Sequence, residues 1–188
     1  MIATVQGSVR ERLIEAANEL FYAHGLRAVS VDKVIDRAGT TKVTFYRHFK
    51  SKDDLVVAYL EHRAALERDG VDAAVAQGAG DVDATLRLLA EGTGAVACSP
   101  GFRGCPFINA AAEYPDAASP VRQAVDAHRR WWEDAFARLV APLAPADPAA
   151  VAEDLMLLRD GVMVAGYLGD PARVADSFLR SCRAVVRP

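Results

Sequence analysis

Hydroxyl, basic and aromatic side chains are interleaved over thirteen residues, Ala38-Gly39-Thr40-Thr41-Lys42-Val43-Thr44-Phe45-Tyr46-Arg47-His48-Phe49-Lys50. The mixture suits neither a packed core nor an ordinary wet surface. It suits a short helix with one edge in a protein core and the other against a nucleic-acid groove. At about 100° per residue, setting Phe45 at zero and facing inward puts Phe49 on the same side, near 40°. Val43 and Arg47 then point outward, at about 160° and 200°, with Thr44 and Tyr46 on the flanks. Thr40 and Thr41 stand at the amino end. Valine and threonine methyls complement thymine methyls, and arginine matches guanine O6 and N7. Tyr46, His48, Lys42 and Lys52 surround this edge as candidates for phosphate oxygens, with Ser30 from the preceding helix.

A second stretch, Gly101-Phe-Arg-Gly-Cys-Pro-Phe-Ile-Asn-Ala-Ala-Ala-Glu113-Tyr114-Pro115, is the most distinctive of the remainder. Cys105 is placed beside the amino end of a helix, whose dipole favours a thiolate. Two readings stay open: a thiol-responsive sensor, and a small buried thiol packed next to Pro106. Cys105, Phe107, Asn109, Glu113, Tyr114, His128, Trp131, Trp132, Met156 and Arg159 are candidates for an effector-pocket wall, an apolar cavity with a few fixed polar groups. Trp132 and Met156 also read as plain packing. Arg159-Asp160 reads as a satisfied internal pair or as an anchor for a polar effector. A hydrolase using Cys105 and His128 would need an orienting third group, and neither a nucleophile elbow nor a phosphate loop is present. No catalytic residue and no cofactor is expected. Three cysteines in no C-x-x-C spacing argue against a disulfide framework and a zinc site.

The charge is segregated. Residues 1–52 carry nine basic and five acidic side chains, a balance of +4, within a chain of net charge −3. Every lysine lies at or before Lys52. A basic head on an acidic body fits a phosphate-binding module on a non-binding scaffold. Met1 to Arg10 lacks the apolar core of a signal peptide, and Gly161 to Leu168 is too short to cross a bilayer. The expectation is a soluble, cytoplasmic protein with no membrane partner. At 188 residues, just over half of them apolar, the chain can build a real core.

These residues need helices to position them. Ser8 and Glu11 form a capping box opening a first helix, with Leu13, Ile14, Ala17, Leu20 and Phe21 on one face and Gly25 as a left-handed stop. Ser30 caps a second helix carrying Val31, Val34 and Ile35. Ala38-Gly39 ends it, and Thr40 or Thr41 caps the third. Two short helices joined through a glycine turn make a helix-turn-helix. Beyond it, Ser51 with Asp54 opens a long helix toward Ala76 through Leu55, Val56, Tyr59, Leu60 and Leu66. Gly78-Ala79-Gly80 breaks that helix. Another carries Leu86, Leu89 and Val96 as far as the Pro100-Gly101 loop. Pro120 begins a helix with Trp131 and Trp132 that ends near Pro142. Ala149–Leu168 and Ala172–Val186 complete the chain. The former is apolar on more than one face, through Leu155, Leu157, Leu158, Val162, Met163, Val164 and Leu168. It therefore needs two partners.

Arg10 to Leu55 resembles the DNA-binding head of the TetR family of bacterial transcriptional regulators. The resemblance is carried by Ile14, Ala17, Leu20, Phe21, Gly25, Val31, Ile35, Ala38-Gly39, Lys42, Phe45-Tyr46, His48-Phe49, Lys52 and Leu55. Two positions depart from the family pattern. Val43 stands where glycine or another small residue is frequent, and Arg47 where tyrosine or a varied residue is usual. The resemblance implies an all-α homodimer of about nine helices. A three-helix helix-turn-helix head (residues 1–50) would precede an effector-binding and dimerisation body (residues 51–188). The last two helices would pair across the dimer axis. The function expected is a repressor bound to a near-palindromic double-stranded operator and released by an unknown small-molecule effector. The alternatives are a helical protein-interaction module and a thiol-responsive regulator acting through Cys105.

Overall fold

The computed structural model of the chain describes residues 7–186, to which all further structural statements refer. The first six residues, part of the expected head and of the segment read for a leader, lie outside them, as do Arg187 and Pro188. Among the described residues, nine α-helices and two single-turn 3-10 segments are present and no strand occurs. The all-α expectation holds. Two compact units are distinguished. One takes in the residues up to Ala64 and Pro106–Val125; the other takes in Ala65–Cys105 and everything from Asp126. Residue 51, where the resemblance divides head from body, lies within the first of these.

In the first unit each helix begins where a side chain satisfies its free amides. Ser8 accepts from the Glu11 amide, and the Glu11 carboxylate takes the Ser8 amide at 2.7 Å, opening α1 (Val9–His24). Leu13, Ala17 and Phe21 are buried from it, and Leu20 only partly. Gly25 stops α1 with φ 91° and ψ 155°, outside the left-handed helical basin that was expected. Only glycine adopts that conformation without strain. Ser30 caps α2 (Val31–Ala38), and Gly39 closes it in the left-handed conformation at φ 61°. Thr41, not Thr40, caps α3 (Lys42–His48). Phe45 and Phe49 are buried beneath α3, each contributing on the order of 2–3 kcal/mol of transfer free energy. The Ser51 hydroxyl accepts from the Asp54 amide and Asp54 accepts from the Ser51 amide, both at 3.1 Å, starting α4 (Lys52–Gly78). Leu55, Val56, Tyr59 and Leu60 are buried, and Tyr59 meets Phe21 edge to face.

Leu66, expected on the same stripe, is 52% exposed. Along the later part of α4 the inward row is Ala64, Glu67, Val71 and Ala74, and Leu66 lies roughly 100° away from it.

The second unit packs α5 (Val82–Ala97), the later part of α7 (Pro120–Val140), α8 (Pro148–Leu168) and α9 (Val174–Val186) around one core. Leu86, Trp132, Phe136, Leu155, Met156 and Phe178 are its larger members. Gly94 lets α5 and α9 approach closely, because a Cβ there would stand 2.8 Å from the Ala175 Cβ. A two-armed ion pair between Arg183 and Asp83, 2.6 Å on each arm, joins the same helices. The last helix starts later than expected. Pro171–Arg173 forms a 3-10 turn capped by Asp170, and α9 begins only at Val174. Val96 of α5 is exposed, not packed. The two-faced character of α8 is real. Leu155 and Val162 are buried, whereas Leu157, Val164 and Leu168 stand 63%, 46% and 76% exposed.

Candidate nucleic-acid interface

The outward edge of α3 follows from what lies under it. With Phe45 and Phe49 held inside, Val43 is left 67% exposed, and Arg47, His48 and Tyr46 project beside it. Tyr46 keeps its ring edge against Phe45, with centroids 5.1 Å apart. The Thr41 hydroxyl accepts from the Thr44 amide at 3.2 Å and lies 2.9 Å from the Thr44 hydroxyl. The Thr41 hydroxyl thus caps the helix, and the Thr44 hydroxyl is paired with it. Thr40 and Thr44 are half-buried, and Ser30 is exposed with its hydroxyl accepting from the Lys33 amide. Lys42 makes an exposed ion pair with Asp32 at 3.4 Å. Such a pair is worth under about 1 kcal/mol, so its ammonium can be given up to a phosphate.

Lys52 has different surroundings. Its ammonium donates to the Arg27 carbonyl at 3.2 Å, and its side chain is half-buried. Desolvation lowers its pKa, against the opposing charges of Glu113 and Asp53.

The end of α6 (Pro106–Glu113) clasps the connection between α1 and α2. The two Glu113 carboxylate oxygens accept the Leu26 and Arg27 amides at 2.8 and 2.7 Å, and Arg27 Nε donates back to the Glu113 carbonyl at 2.8 Å. Arg27 also lies over the Tyr114 ring, whose hydroxyl donates to Asp53 at 2.9 Å. Burial and that hydrogen bond push the Tyr114 phenol up to about 12. Glu113 and Tyr114, expected in an effector wall, are thus engaged within the first unit. Phe107 is buried there and Asn109 is exposed.

The remaining candidates, Cys105, His128, Trp131, Trp132, Met156 and Arg159, belong to the second unit. Around Glu67 Oε2 converge Arg159 Nη2 at 2.6 Å, Trp132 Nε1 at 3.0 Å and His128 Nε2 at 3.1 Å. Burial alone would raise the Glu67 carboxyl. The His128 hydrogen bond and the Arg159 charge outweigh it and hold the pKa down at about 2. Arg159 stacks over Trp132, 4.5 Å from its centroid, and reaches Cys105 Sγ at 4.0 Å. Cys105 itself is only 2% exposed. Asp160 pairs with Arg129 at 2.6 Å and stands 3.9 Å from Arg159, so the short partner of Arg159 is Glu67 rather than its chain neighbour. Met156 is core packing, and Trp132 packs and also donates. Sequence reasoning left out Glu67. Its signal was a lone acid on the inward row Leu60, Ala64, Val71, Ala74.

A buried-aromatic recognition helix with an exposed valine and arginine, set after a capped helix and a glycine turn, defines a helix-turn-helix DNA-binding regulator. Residues 13–59 match the family model of bacterial regulatory proteins of the tetR family, and residues 84–181 match the tetracyclin repressor-like C-terminal domain. The chain belongs to the TetR family of transcriptional regulators. It is similar to the TetR-family regulator SCO4454 from Streptomyces coelicolor at 42% identity, with TM-score 0.89 over 95% of this chain and 94% of that one. It also superposes on a putative regulator of the same kind from Streptomyces avermitilis at 26% identity and TM-score 0.76, covering 94% and 99% of the two chains. The HTH-type transcriptional activator FasR of Mycolicibacterium smegmatis is 42% identical over 52 residues, 28% of this chain and 24% of FasR. The repressor KstR2 of Mycobacterium tuberculosis is 37% identical over 75 residues, 38% of each chain. The match therefore spans about a quarter to two fifths of these curated relatives' length. Among the described residues no helix is long and apolar enough to cross a membrane.

Proposed function

We propose that the chain is a cytoplasmic, homodimeric repressor whose two α3 helices enter successive major grooves of a near-palindromic operator, and that a small-molecule effector releases it. One observation carries the DNA reading: Val43 and Arg47 are exposed on a helix whose opposite side, Phe45 and Phe49, is buried. Val43, Thr44 and Arg47 would read bases, while Thr40, Thr41, Lys42, Tyr46, His48, Ser30 and Lys52 would position the head on phosphates. Dimerisation is supported by the exposed row Leu157, Val164 and Leu168 on α8, which recurs within about 40° of one direction. The sign of regulation is supported by KstR2, a repressor, and opposed by FasR, an activator. The effector would be held by the body, residues 51–188, and would favour the form that does not bind DNA.

Selection of bound fragments from random DNA, followed by gel shift on the winning sequence, tests this reading. The expected result is an inverted-repeat motif with retardation lost on scrambled sequence. Equal retardation of both sequences would overturn it.

A further inference from the structure

The second unit holds an anion site that is filled from within. His128, Trp132 and Arg159 are 3%, 8% and 4% exposed, and their donors meet at a single carboxylate oxygen, Glu67 Oε2. Stability alone does not call for such a cluster. Desolvating such a pair offsets most of its Coulomb gain, and apolar residues of similar volume do as well or better. The donors are nevertheless held rigidly, with Arg159 fixed against the Trp132 face at 4.5 Å. The Glu67 side chain keeps 23% of its surface in solvent, whereas that of Arg159 keeps 5%. The anion is therefore the accessible member and the donors lie behind it. A carboxylate arriving from outside could replace Glu67 as that side chain swings out. Replacing one carboxylate by another conserves the local charge, which favours a monoanion over a phosphate or a dicarboxylate. Beside the donors lies Trp131, stacked on His128 with centroids 5.9 Å apart and edge-on to Trp132 at 5.1 Å, a partly buried apolar face for the body of such a molecule.

We propose that His128, Trp132 and Arg159 form the recognition site for an organic monocarboxylate, and that Glu67 occupies it as an internal stand-in until the ligand displaces it. This rests on the effector-regulated reading above and gives its effector a chemical class. Displacement would free α4, which carries Glu67, from its ties to α7 and α8.

The test uses sodium propionate against sodium chloride at matched ionic strength on the full chain, read by thermal melting and tryptophan fluorescence. In Glu67→Ala, propionate should raise the melting temperature saturably and chloride should not, and Glu67→Ala/Arg159→Gln should lose the response. Glu67→Gln keeps the shape and removes the charge, so it remains informative if the alanine variant does not fold. Its half-saturating propionate concentration should be at least about tenfold below that of the unaltered chain, equivalent to about 1.4 kcal/mol. Propionate acting no better than chloride on a folded Glu67 variant, or equally on Glu67→Gln and the unaltered chain, overturns the proposal. None of these readouts involves DNA. A failure here leaves the regulator reading standing, and a chain that retards no operator fails that reading alone.

Discussion

Arg47 and Glu67 show what a single side chain can be asked to do in this fold. Arg47 is exposed on the outward edge of α3, where a guanidinium can make a bidentate contact to guanine. Arg47→Ala should relax preference at one base pair per half-site and cost roughly 1–3 kcal/mol on the preferred base. Competition gel shifts over all four bases at each position measure this; undiminished discrimination would assign Arg47 to phosphate or solvent. Glu67 gives a pH signature. Its carboxyl is held at about 2 in the folded chain against an ordinary 4.5, so its contribution is fully present above 4.5 and is lost as pH falls toward 2. That contribution is on the order of 3 kcal/mol. Glu67→Gln should therefore be less stable than the unaltered chain at pH 6, with the gap closing as pH falls through that window. Urea melts at pH 6 and pH 3 decide the matter, and a gap of constant size would remove Glu67 from the acid-sensitive groups.

At the scale of the element, α3 depends on its cap more than on its own length. Seven residues are too few for a helix to persist alone. Thr41 supplies the side-chain acceptor for the Thr44 amide, and Thr41→Ala should cost about 1 kcal/mol of head stability. Thr41→Ser should restore most of it. Hydrogen exchange at the α3 amides would report both; an unchanged rate in Thr41→Ala would mean that burial of Phe45 and Phe49 alone holds the helix. The caps are also where the sequence was most readable. Ser8 with Glu11, Ser30, Gly39 and Ser51 with Asp54 announce boundaries through local chemistry, and the structure puts helix ends at each of them. What local chemistry could not reveal was partnership across distance. Glu113 looked like a pocket acid, but 86 and 87 residues separate it from the amides it holds. Leu66 looked like stripe, but the inward row of α4 shifts around the helix axis beyond Leu60. Arg159 was legible as a charge on a buried helix, whereas its partner Glu67, 92 residues away, was hidden on a helix read only for its apolar residues.

For the molecule as a whole, the unfinished surface of α8 makes the strongest demand. Leu157 and Leu168 are eleven residues apart, close to three full turns, and lie on the same side with Val164 between them. A single chain leaves this row in water, at a cost near 25 cal/mol for each Å² of apolar surface that a partner could cover. A stable interface buries about 1,200–2,000 Å² in total, and one helix row with its surroundings on each of two copies can supply an area of that order. Leu157→Glu/Leu168→Glu should give a monomer, because each copy would bring two carboxylates into the apolar contact. Since both positions are exposed in the isolated chain, the substitutions should cost the fold of a single copy no more than about 0.5 kcal/mol, and any larger loss on melting is the lost association, recognisable because the parent's melting depends on protein concentration. Operator affinity should fall by about a hundredfold or more, since two heads would no longer be joined at high effective concentration. Sedimentation equilibrium and gel shift on the same preparations separate the two effects. A double variant that still sediments as a dimer would move the interface away from this face of α8, and a monomer that retains full operator affinity would show that the two heads act independently.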